Sequence, residues 1–275
     1  MINSKFKKQL FLLVIVSFVL LGYSLSDKSE KEQVISMPVF IDRVIDGDTF
    51  QANGSSFRLL GINTPEKGEN FYDEAKSYLM SYDGNYTIFD FYGVDKYGRN
   101  LGYLHFGEVL VNEELVLLGL ASSYYYQDDK YKHVILRSEL LAKNKGLGIW
   151  SRSSHVCSSC FIIGEINSGI GGKGEEDCKA GGELLKFYNN CSFSCDISSW
   201  FVKDSATHKF AFPKVVVEEK ETVTLFNGKG ENDLEKKVFY FNNKPIGSCY
   251  SLWNDDGDSI FLRDEKGLLV DFRRY

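Results

Sequence analysis

The stretch IDGDTFQANGSSFRLLGINTPE, from Ile45 to Glu66, gathers charged side chains that are rarely needed to build a core. The Asp48 carboxylate can ligate a hard divalent cation, Glu66 can act on a water molecule, and Arg58 carries a planar guanidinium fork. Cleavage of a phosphodiester needs all three, because negative charge develops on the attacked phosphate. The stretch therefore predicts phosphodiester chemistry.

The segments around these residues predict short strands joined by tight turns. Alternating apolar residues indicate strands over 39–45, 49–52 and 56–62, with a turn at Asp46-Gly47-Asp48 and a hairpin at Asn53-Gly54. Asp46 is interpreted first as the residue that caps its turn. Strands connected in this way bring Asp48 and Arg58 towards the same end of a sheet.

Further elements follow the same stretch. The pattern predicts strands over 86–92 and 101–106, separated by a turn that delivers Arg99. Helical spacing is found over 72–82, 111–118 and 131–144, and Gly119 and Gly146 stand at C-cap positions. The last helix is expected to cover the sheet with Val134, Leu140 and Leu141.

Five motifs in register resemble the staphylococcal nuclease (thermonuclease) family between residues 38 and 150: VIDGDTF, FRLLGINTPE, DKYGRNLGYL, VNEELVLLGLA and KGLGIW. The resemblance implies an α+β OB-fold barrel of five strands with about three helices, a scaffold widely used for nucleic acids. We assign this domain to residues 38–152.

The resemblance also implies roles for individual residues. One Ca²⁺ ion is held by Asp48, by the side chain at Asn63 and by the carbonyl of Thr64. Glu66 is the general base, and Arg58 and Arg99 bind the phosphate and stabilise the transition state.

Four further positions are implied to bind substrate. In the family, tyrosines beside the pocket contact the nucleotide, and aromatic faces stack on bases. By motif these are Tyr97, Tyr124 and Tyr126, while Lys96 is placed near a second phosphate. Amphipathic cover of the barrel is the alternative for the tyrosines, and a solvated surface charge is the alternative for Lys96.

Asn63 is the departure from the family pattern, which has an aspartate there. An amide offers a carbonyl oxygen but no charge, so calcium is expected to bind more weakly. Three outcomes stay open: an enzyme that needs millimolar calcium, compensation by Asp46, or lost activity.

The C-terminal third contains eight short β-rich runs with Asn-Gly and Asp-Gly turns, which predict a β-sandwich. The elements GGELLKFYN, WFVKD and SLWNDDGDSIFLRDEKGLLVD are similar to the lamin-tail family, which implies an all-β immunoglobulin-like sandwich. We assign it to residues 183–275, after a Cys- and Gly-rich linker over 153–182.

All six cysteines lie after the nuclease-like stretch. An even number in an exported chain favours disulfides, although the sequence leaves the pairing open. A zinc site built on Cys157, Cys160 and His155 is the alternative.

The N-terminus predicts export. Lys5, Lys7 and Lys8 precede the apolar run Leu10–Leu21, so residues 1–26 form a signal peptide or an uncleaved membrane anchor, and 27–37 a linker. The expected location is secreted or attached to the outer face of the cytoplasmic membrane.

The net charge of −6 excludes a protein that binds nucleic acid through a wide basic surface. Residues 38–150 alone hold 11 Lys and Arg against 16 Asp and Glu. We therefore expect a monomeric calcium-dependent nuclease that acts on DNA and RNA with little sequence preference. The alternatives are a non-catalytic nucleic-acid-binding module, and a surface adhesion protein whose sandwich binds a cell-envelope ligand.

Overall fold

A computed structural model describes residues 34–125, 129–168, 183–205, 208–228, 230–241, 253 and 257–275. The predicted signal segment, Tyr126, Cys178 and Cys249 lie outside these residues. Among the residues described, no helix has the length and apolar character needed to cross a membrane.

The N-terminal part is a strongly bent sheet with three helices packed around it. Its strands are β1 (Ile35–Phe40), β2 (Arg43–Val44), β3 (Thr49–Ala52), β4 (Ser55–Leu59), β5 (Ile62–Asn63), β6 (Tyr86–Val94), β7 (Asn100–Phe106), β8 (Val109–Leu110) and β9 (Ser122–Ser123). The helices are α1 (Tyr72–Met80), α2 (Val111–Leu117) and α3 (Lys132–Lys145).

The main sheet has the order β1-β6-β7-β4-β3-β2, with β8 paired to β7, while β5 and β9 form a separate pair. The sequence predicts five strands here and the structure has seven, because the run 39–45 divides into two strands and β8 is added. Phe50, Phe57 and Phe89 form the aromatic centre of the core, with ring centroids 5.0–6.1 Å apart. The predicted barrel-type fold is confirmed.

Of the three residues of α3 that the sequence predicts to cover the sheet, only Val134 packs against the core of the nuclease part. Leu140 and Leu141 are exposed, whereas Ile135, Glu139 and Ala142 are buried. The apolar pattern is misleading here because the buried face of the helix also holds an ionised group, Glu139, which is paired within the protein.

The C-terminal part is all β. Its strands are β10 (Phe161–Asn167), β11 (Leu184–Asn189), β12 (Cys195–Asp196), β13 (Phe201–Lys203), β14 (Lys209–Ala211), β15 (Val216–Val217), β16 (Thr222–Phe226), β17 (Val238–Tyr240), β18 (Ser259–Arg263) and β19 (Leu269–Arg274). They form two four-stranded sheets, β10-β11-β16-β17 and β14-β13-β18-β19, and the pair β12-β15. The predicted sandwich is confirmed, and its core includes Trp200, Phe187 and Phe239.

The sequence predicts a linker over 153–182, but its described part contains a strand of the sandwich. Residues 161–167 form β10, which pairs antiparallel with β11. Disulfides join Cys157 to Cys195 and Cys160 to Cys191, so the disulfide prediction is confirmed for these four cysteines. Their thiolates are not available as zinc ligands while these bonds are intact.

The two parts pack directly on each other. Trp150 follows α3, and its ring lies 5.6 Å from that of Phe261 and 5.2 Å from that of Phe272, both of which belong to the sandwich. Ile149, Leu269 and Ala142 complete this buried cluster. The sandwich is therefore packed against the end of α3 and the segment that follows it.

Candidate active site

Asp48 lies in the tight turn between β2 and β3. Its backbone N–H donates to Oδ1 of Asp46 at 3.1 Å, which confirms the predicted turn-capping role of Asp46. A Cβ at Gly47 would lie 2.7 Å from Cβ of Ala75 and 2.8 Å from Oγ1 of Thr64. Glycine is required there because the turn presses against α1 and against the loop that carries Thr64.

The Asp48 carboxylate is buried, with 5% of the residue exposed, and both of its oxygens are used. Oδ2 accepts hydrogen bonds from the backbone N–H and the hydroxyl of Thr64, both at 2.9 Å. Oδ1 lies 3.1 Å from Nε of Arg58 and accepts from the Thr49 hydroxyl at 3.1 Å. The carboxylate is thereby held in one orientation with a cation beside it.

Arg58 is positioned by the pairing of β4 with its two neighbours, Thr49 on β3 and Leu101 on β7. One terminal nitrogen donates to the carbonyl of Ile62 and to Oδ1 of Asn63, both at 2.9 Å. The other donates to the carbonyl of the following residue. Every guanidinium nitrogen contacts an oxygen, but one terminal nitrogen has a single acceptor among the described residues, so its second N–H remains available to a phosphate.

Asn63 connects this cluster to the C-terminal sandwich. Its Oδ1 accepts from Arg58, while its Nδ2 donates to the backbone carbonyl of Ser205 at 3.0 Å. Ser205 is 142 residues away in the sequence, and no local pattern indicates its role at this site. The four predicted residues Asp48, Arg58, Asn63 and Thr64 are therefore brought together in one hydrogen-bonded cluster.

Glu66 is exposed and begins the turn that leads towards α1. Its backbone N–H donates to Oε2 of Glu69 at 2.9 Å, and that same oxygen lies 2.5 Å from Nζ of Lys203 in the sandwich. Although burial alone would raise the pKa of Glu69, the charge of Lys203 holds it below its usual value. Among the described residues, the Glu66 carboxylate has no hydrogen-bond or ion-pair partner and remains open to solvent.

Arg99 precedes β7 by one residue. Its Nε donates to Oδ2 of Asp95 at 2.7 Å, within the turn that precedes the strand. Arg99 stands two residues before Leu101, the strand partner of Arg58, so the two arginines belong to neighbouring segments of the chain in the fold. Among the described residues, its terminal nitrogens make no hydrogen bond, so the end of the guanidinium is free to meet an anion.

The predicted substrate-binding positions fall at two places. Tyr97 is 73% exposed at the turn before Arg99, and Nζ of Lys96 lies 5.1 Å from the centre of its ring. Tyr124 is half-buried after β9, and its backbone N–H donates to the carbonyl of Gly61 at 2.9 Å. Tyr126 lies outside the described residues.

The donor set of the cluster fits a hard cation. Asp46 and Asp48 lie in one turn, and burial together with the charge of Asp48 raises the pKa of Asp46 to about 6. Burial is the larger cause of this shift and the charge of Asp48 the smaller one, and a bound cation would relieve the repulsion between the two carboxylates. The oxygens of Asp48, Asn63 and Thr64 would hold the ion, with Asp46 adjacent.

Comparison with known proteins identifies both parts of the chain. The family model "Staphylococcal nuclease homologue" matches residues 56–152, and "Lamin Tail Domain" matches residues 158–275. The first match covers most of the barrel and its three helices, so this part of the chain is a nuclease-type domain. The chain belongs to the staphylococcal nuclease family and carries a lamin tail domain after its nuclease domain.

Individual relatives resemble the nuclease part. A thermonuclease of Staphylococcus intermedius is 30% identical over 139 residues, which cover 46% of this chain and 83% of that protein. The endonuclease YncB of Bacillus subtilis (strain 168) is 33% identical over 147 residues, or 48% of this chain and 70% of that protein. The SPbeta prophage-derived endonuclease YokF of the same organism is 32% identical, and the match spans 47% of its length. These homologues support a nuclease function with a nucleic-acid substrate.

Proposed function

We propose that this protein is an extracytoplasmic, calcium-dependent endonuclease that hydrolyses phosphodiester bonds of DNA and RNA with little sequence preference. The observation that carries the proposal is the hydrogen-bonded cluster of Asp48, Arg58, Asn63 and Thr64. Endonuclease relatives of the same family add support. Low preference is expected because Arg99 and Lys96 would contact phosphates, which carry no sequence information, and an aromatic face such as that of Tyr97 stacks on any base.

The proposed roles follow from the position and freedom of each side chain. When bound, Ca²⁺ supplies positive charge beside the attacked phosphate and a site for its oxygen. Asp48 is the anionic ligand, and the oxygens of Asn63 and Thr64 complete the protein's share. Glu66 is exposed without a competing partner, so its carboxylate can accept a proton from the attacking water. The free end of Arg99 then binds the phosphate.

Replacement of Glu66 tests the proposal directly. Glu66→Gln keeps the size of the side chain but removes the base, so cleavage of supercoiled plasmid should slow by about 10²–10⁴-fold. Glu108→Gln is the matched control, because Glu108 is exposed in the turn between β7 and β8. Rates should be measured from zero to tens of millimolar calcium. If the wild type binds plasmid but never cuts it, the nuclease domain is a binding module and the proposal is wrong.

Export is the part of the proposal that concerns location. Two observations support it: the basic and apolar N-terminal sequence, and the two disulfides of the sandwich, which persist in oxidising compartments. Cell fractionation with intact-mass measurement tests it. We expect an extracytoplasmic protein that either begins near residue 27 or keeps its N-terminal segment as an anchor. A protein found only in the cytoplasm would contradict this.

A further inference from the structure

A cleft of about 190 Å³ lies between the nuclease barrel and the sandwich. Asn63, Thr64 and Pro65 line its barrel side, which is the loop that carries the candidate metal ligands and leads into Glu66. The sandwich side is formed by residues of β13, β14 and the β18–β19 turn. The cleft therefore opens directly beside the proposed reaction site.

The two walls are held apart at a fixed distance by polar contacts. Nζ of Lys203 lies 2.5 Å from Oε2 of Glu69, and the amide of Asn70 donates to the carbonyl of Lys266 at 2.5 Å. Arg263 donates to the carbonyl of Ile149 at 3.0 Å. Because these contacts cross from one domain to the other, the cleft is a built feature of the docked molecule.

Two lysines line the cleft without a direct ion-pair contact within the described part of the chain. Lys209 and Lys266 are exposed, and neither forms an ion pair with another described residue. Nζ of Lys209 lies 3.7 Å from the ring centre of Phe201, a half-buried aromatic side chain that also lines the cleft. Basic groups beside an aromatic surface are the combination that binds single-stranded nucleic acid.

The charge of the cleft lining and the volume of the cleft restrict the class of ligand that can bind there. The lining holds four cationic residues against three acidic ones, in a chain whose net charge is −6. Of the acidic three, Glu69 and Asp204 are paired, whereas Glu265 is exposed and has no partner among the described residues. The volume is below the roughly 300–1,000 Å³ of pockets that enclose a whole drug-sized ligand. A phosphate with its adjoining sugar is a better match.

We propose that this cleft is a backbone subsite for a single nucleic-acid strand, which places part of the substrate-binding surface on the lamin tail domain. Lys209 and Lys266 bind phosphates of the strand, and Phe201 contacts a sugar or base next to them. The inference rests on the proposed nuclease function, because the strand is the one whose neighbouring phosphate reaches Asp48 and Glu66.

Binding measured without calcium separates this inference from catalysis. The full chain is titrated against a fluorescein-labelled thymidylate oligonucleotide in EDTA, so that binding is observed while metal-dependent cleavage is off. The double variant Lys209→Ala/Lys266→Ala should raise Kd about tenfold and reduce the slope of log K against log salt by about 1.4, the value for two phosphates on a single strand. Glu265→Gln should tighten binding. Lys236→Ala, which removes an 80% exposed lysine elsewhere on the sandwich, is the matched control.

A second comparison identifies the source of the phosphate. Phe201→Leu should weaken the oligonucleotide several-fold while leaving competition by inorganic polyphosphate unchanged, because only the oligonucleotide has rings to contact. If the double variant and Lys236→Ala changed the Kd for the oligonucleotide equally, the proposed subsite would be wrong. A response to the lysine changes but not to Phe201→Leu would overturn the assignment to a nucleic-acid strand. Failure of the wild type to cut DNA in calcium would count against the nuclease proposal. The binding comparison in EDTA would still show whether the cleft binds a nucleic-acid strand.

Discussion

Both polar atoms of the Asn63 side-chain amide form hydrogen bonds, and these bonds give a structural role to the asparagine at a position where the family pattern has an aspartate. Its oxygen accepts from Arg58 and its nitrogen donates to the carbonyl of Ser205. A carboxylate can only accept, so it could make the first contact but not the second. The residue that lowers the charge of the metal site is thus also the residue that ties the site to the second domain.

Asn63→Asp should therefore have two opposite effects. A carboxylate oxygen facing the Ser205 carbonyl replaces a hydrogen bond with repulsion, and the free energy of unfolding without calcium should fall by about 1–3 kcal/mol. The added carboxylate should at the same time tighten calcium binding. Denaturant unfolding and calorimetric calcium titration measure the two effects. Asn53→Asp, in the exposed β3–β4 hairpin, is the control. Unchanged stability in Asn63→Asp would show that the Ser205 contact contributes little.

The hairpin of β13 and β14 is the element that supplies Ser205, Lys203 and Lys209, and a buried carboxylate organises it. Asp204 accepts from the backbone N–H of His208 at 3.0 Å and lies 2.5 Å from the Nδ1 atom of that residue. The side chain of Asp204 is almost fully buried, whereas that of His208 is 37% exposed. Hydrogen bonding to Asp204 raises the pKa of His208 above its usual value.

Stability should consequently depend on pH through His208. Because the folded pKa lies above the unfolded value of about 6.5, the charged pair contributes fully below pH 6.5 and is lost as pH rises through the folded pKa. After solvent screening we expect about 0.2–1 kcal/mol. The difference in unfolding free energy between wild type and His208→Asn should shrink between pH 6 and pH 9. A constant difference would mean that His208 does not titrate with folding.

Strand alternation and turn residues predict most elements, but not those whose partners lie far along the chain. Asn53 and Gly54 have φ of 50° and 75°, as the hairpin signal requires. By contrast, β10 is separated from β11 by a glycine-rich stretch and not by a short turn, so no local turn signal marks the pairing of these two strands. Their pairing also contains an irregularity between Ile163 and Ile166, which interrupts the regular alternation. The short strand β12 lies in a disulfide-linked segment, where the cross-links constrain the backbone.

The candidate site likewise combines contacts within one sequence motif, which can be predicted, with contacts between distant parts of the chain, which cannot. Asp48, Arg58 and Thr64 can be predicted because they lie in one motif and their contacts span at most 16 residues. The contacts of Asn63 with Ser205 and of Glu69 with Lys203 span 142 and 134 residues. No periodicity connects such positions, because their proximity arises only when two folded domains dock.

At the scale of the whole molecule, the lamin tail domain is part of the environment of the nuclease site. It reaches the loop of Asn63 to Glu69 through Ser205 and Lys203, and it shares the aromatic cluster around Trp150. A third connection is made by Glu139, whose carboxylate accepts from Arg274 near the C-terminus and from the backbone N–H of Ser123. We infer that the domains unfold as one cooperative unit.

Loss of Arg274 should weaken that cooperativity. Its guanidinium donates to both oxygens of Glu139, at 2.8 and 3.1 Å, and Glu139 is 2% exposed. Arg274→Ala would leave this buried carboxylate with Lys143 as its remaining ionic partner, 3.0 Å away, and we expect a loss of about 2–3 kcal/mol.

The neighbouring residue provides the control for this change. Arg273 is half-exposed and lies 3.7 Å from Asp271 within its own strand, so Arg273→Ala should cost less than about 1 kcal/mol. Scanning calorimetry should show one transition for the wild type and Arg273→Ala, but two separated transitions for Arg274→Ala. If Arg274→Ala still unfolds in one transition at an unchanged temperature, the Glu139 pair does not join the domains. The aromatic cluster around Trp150 would then be sufficient to couple them.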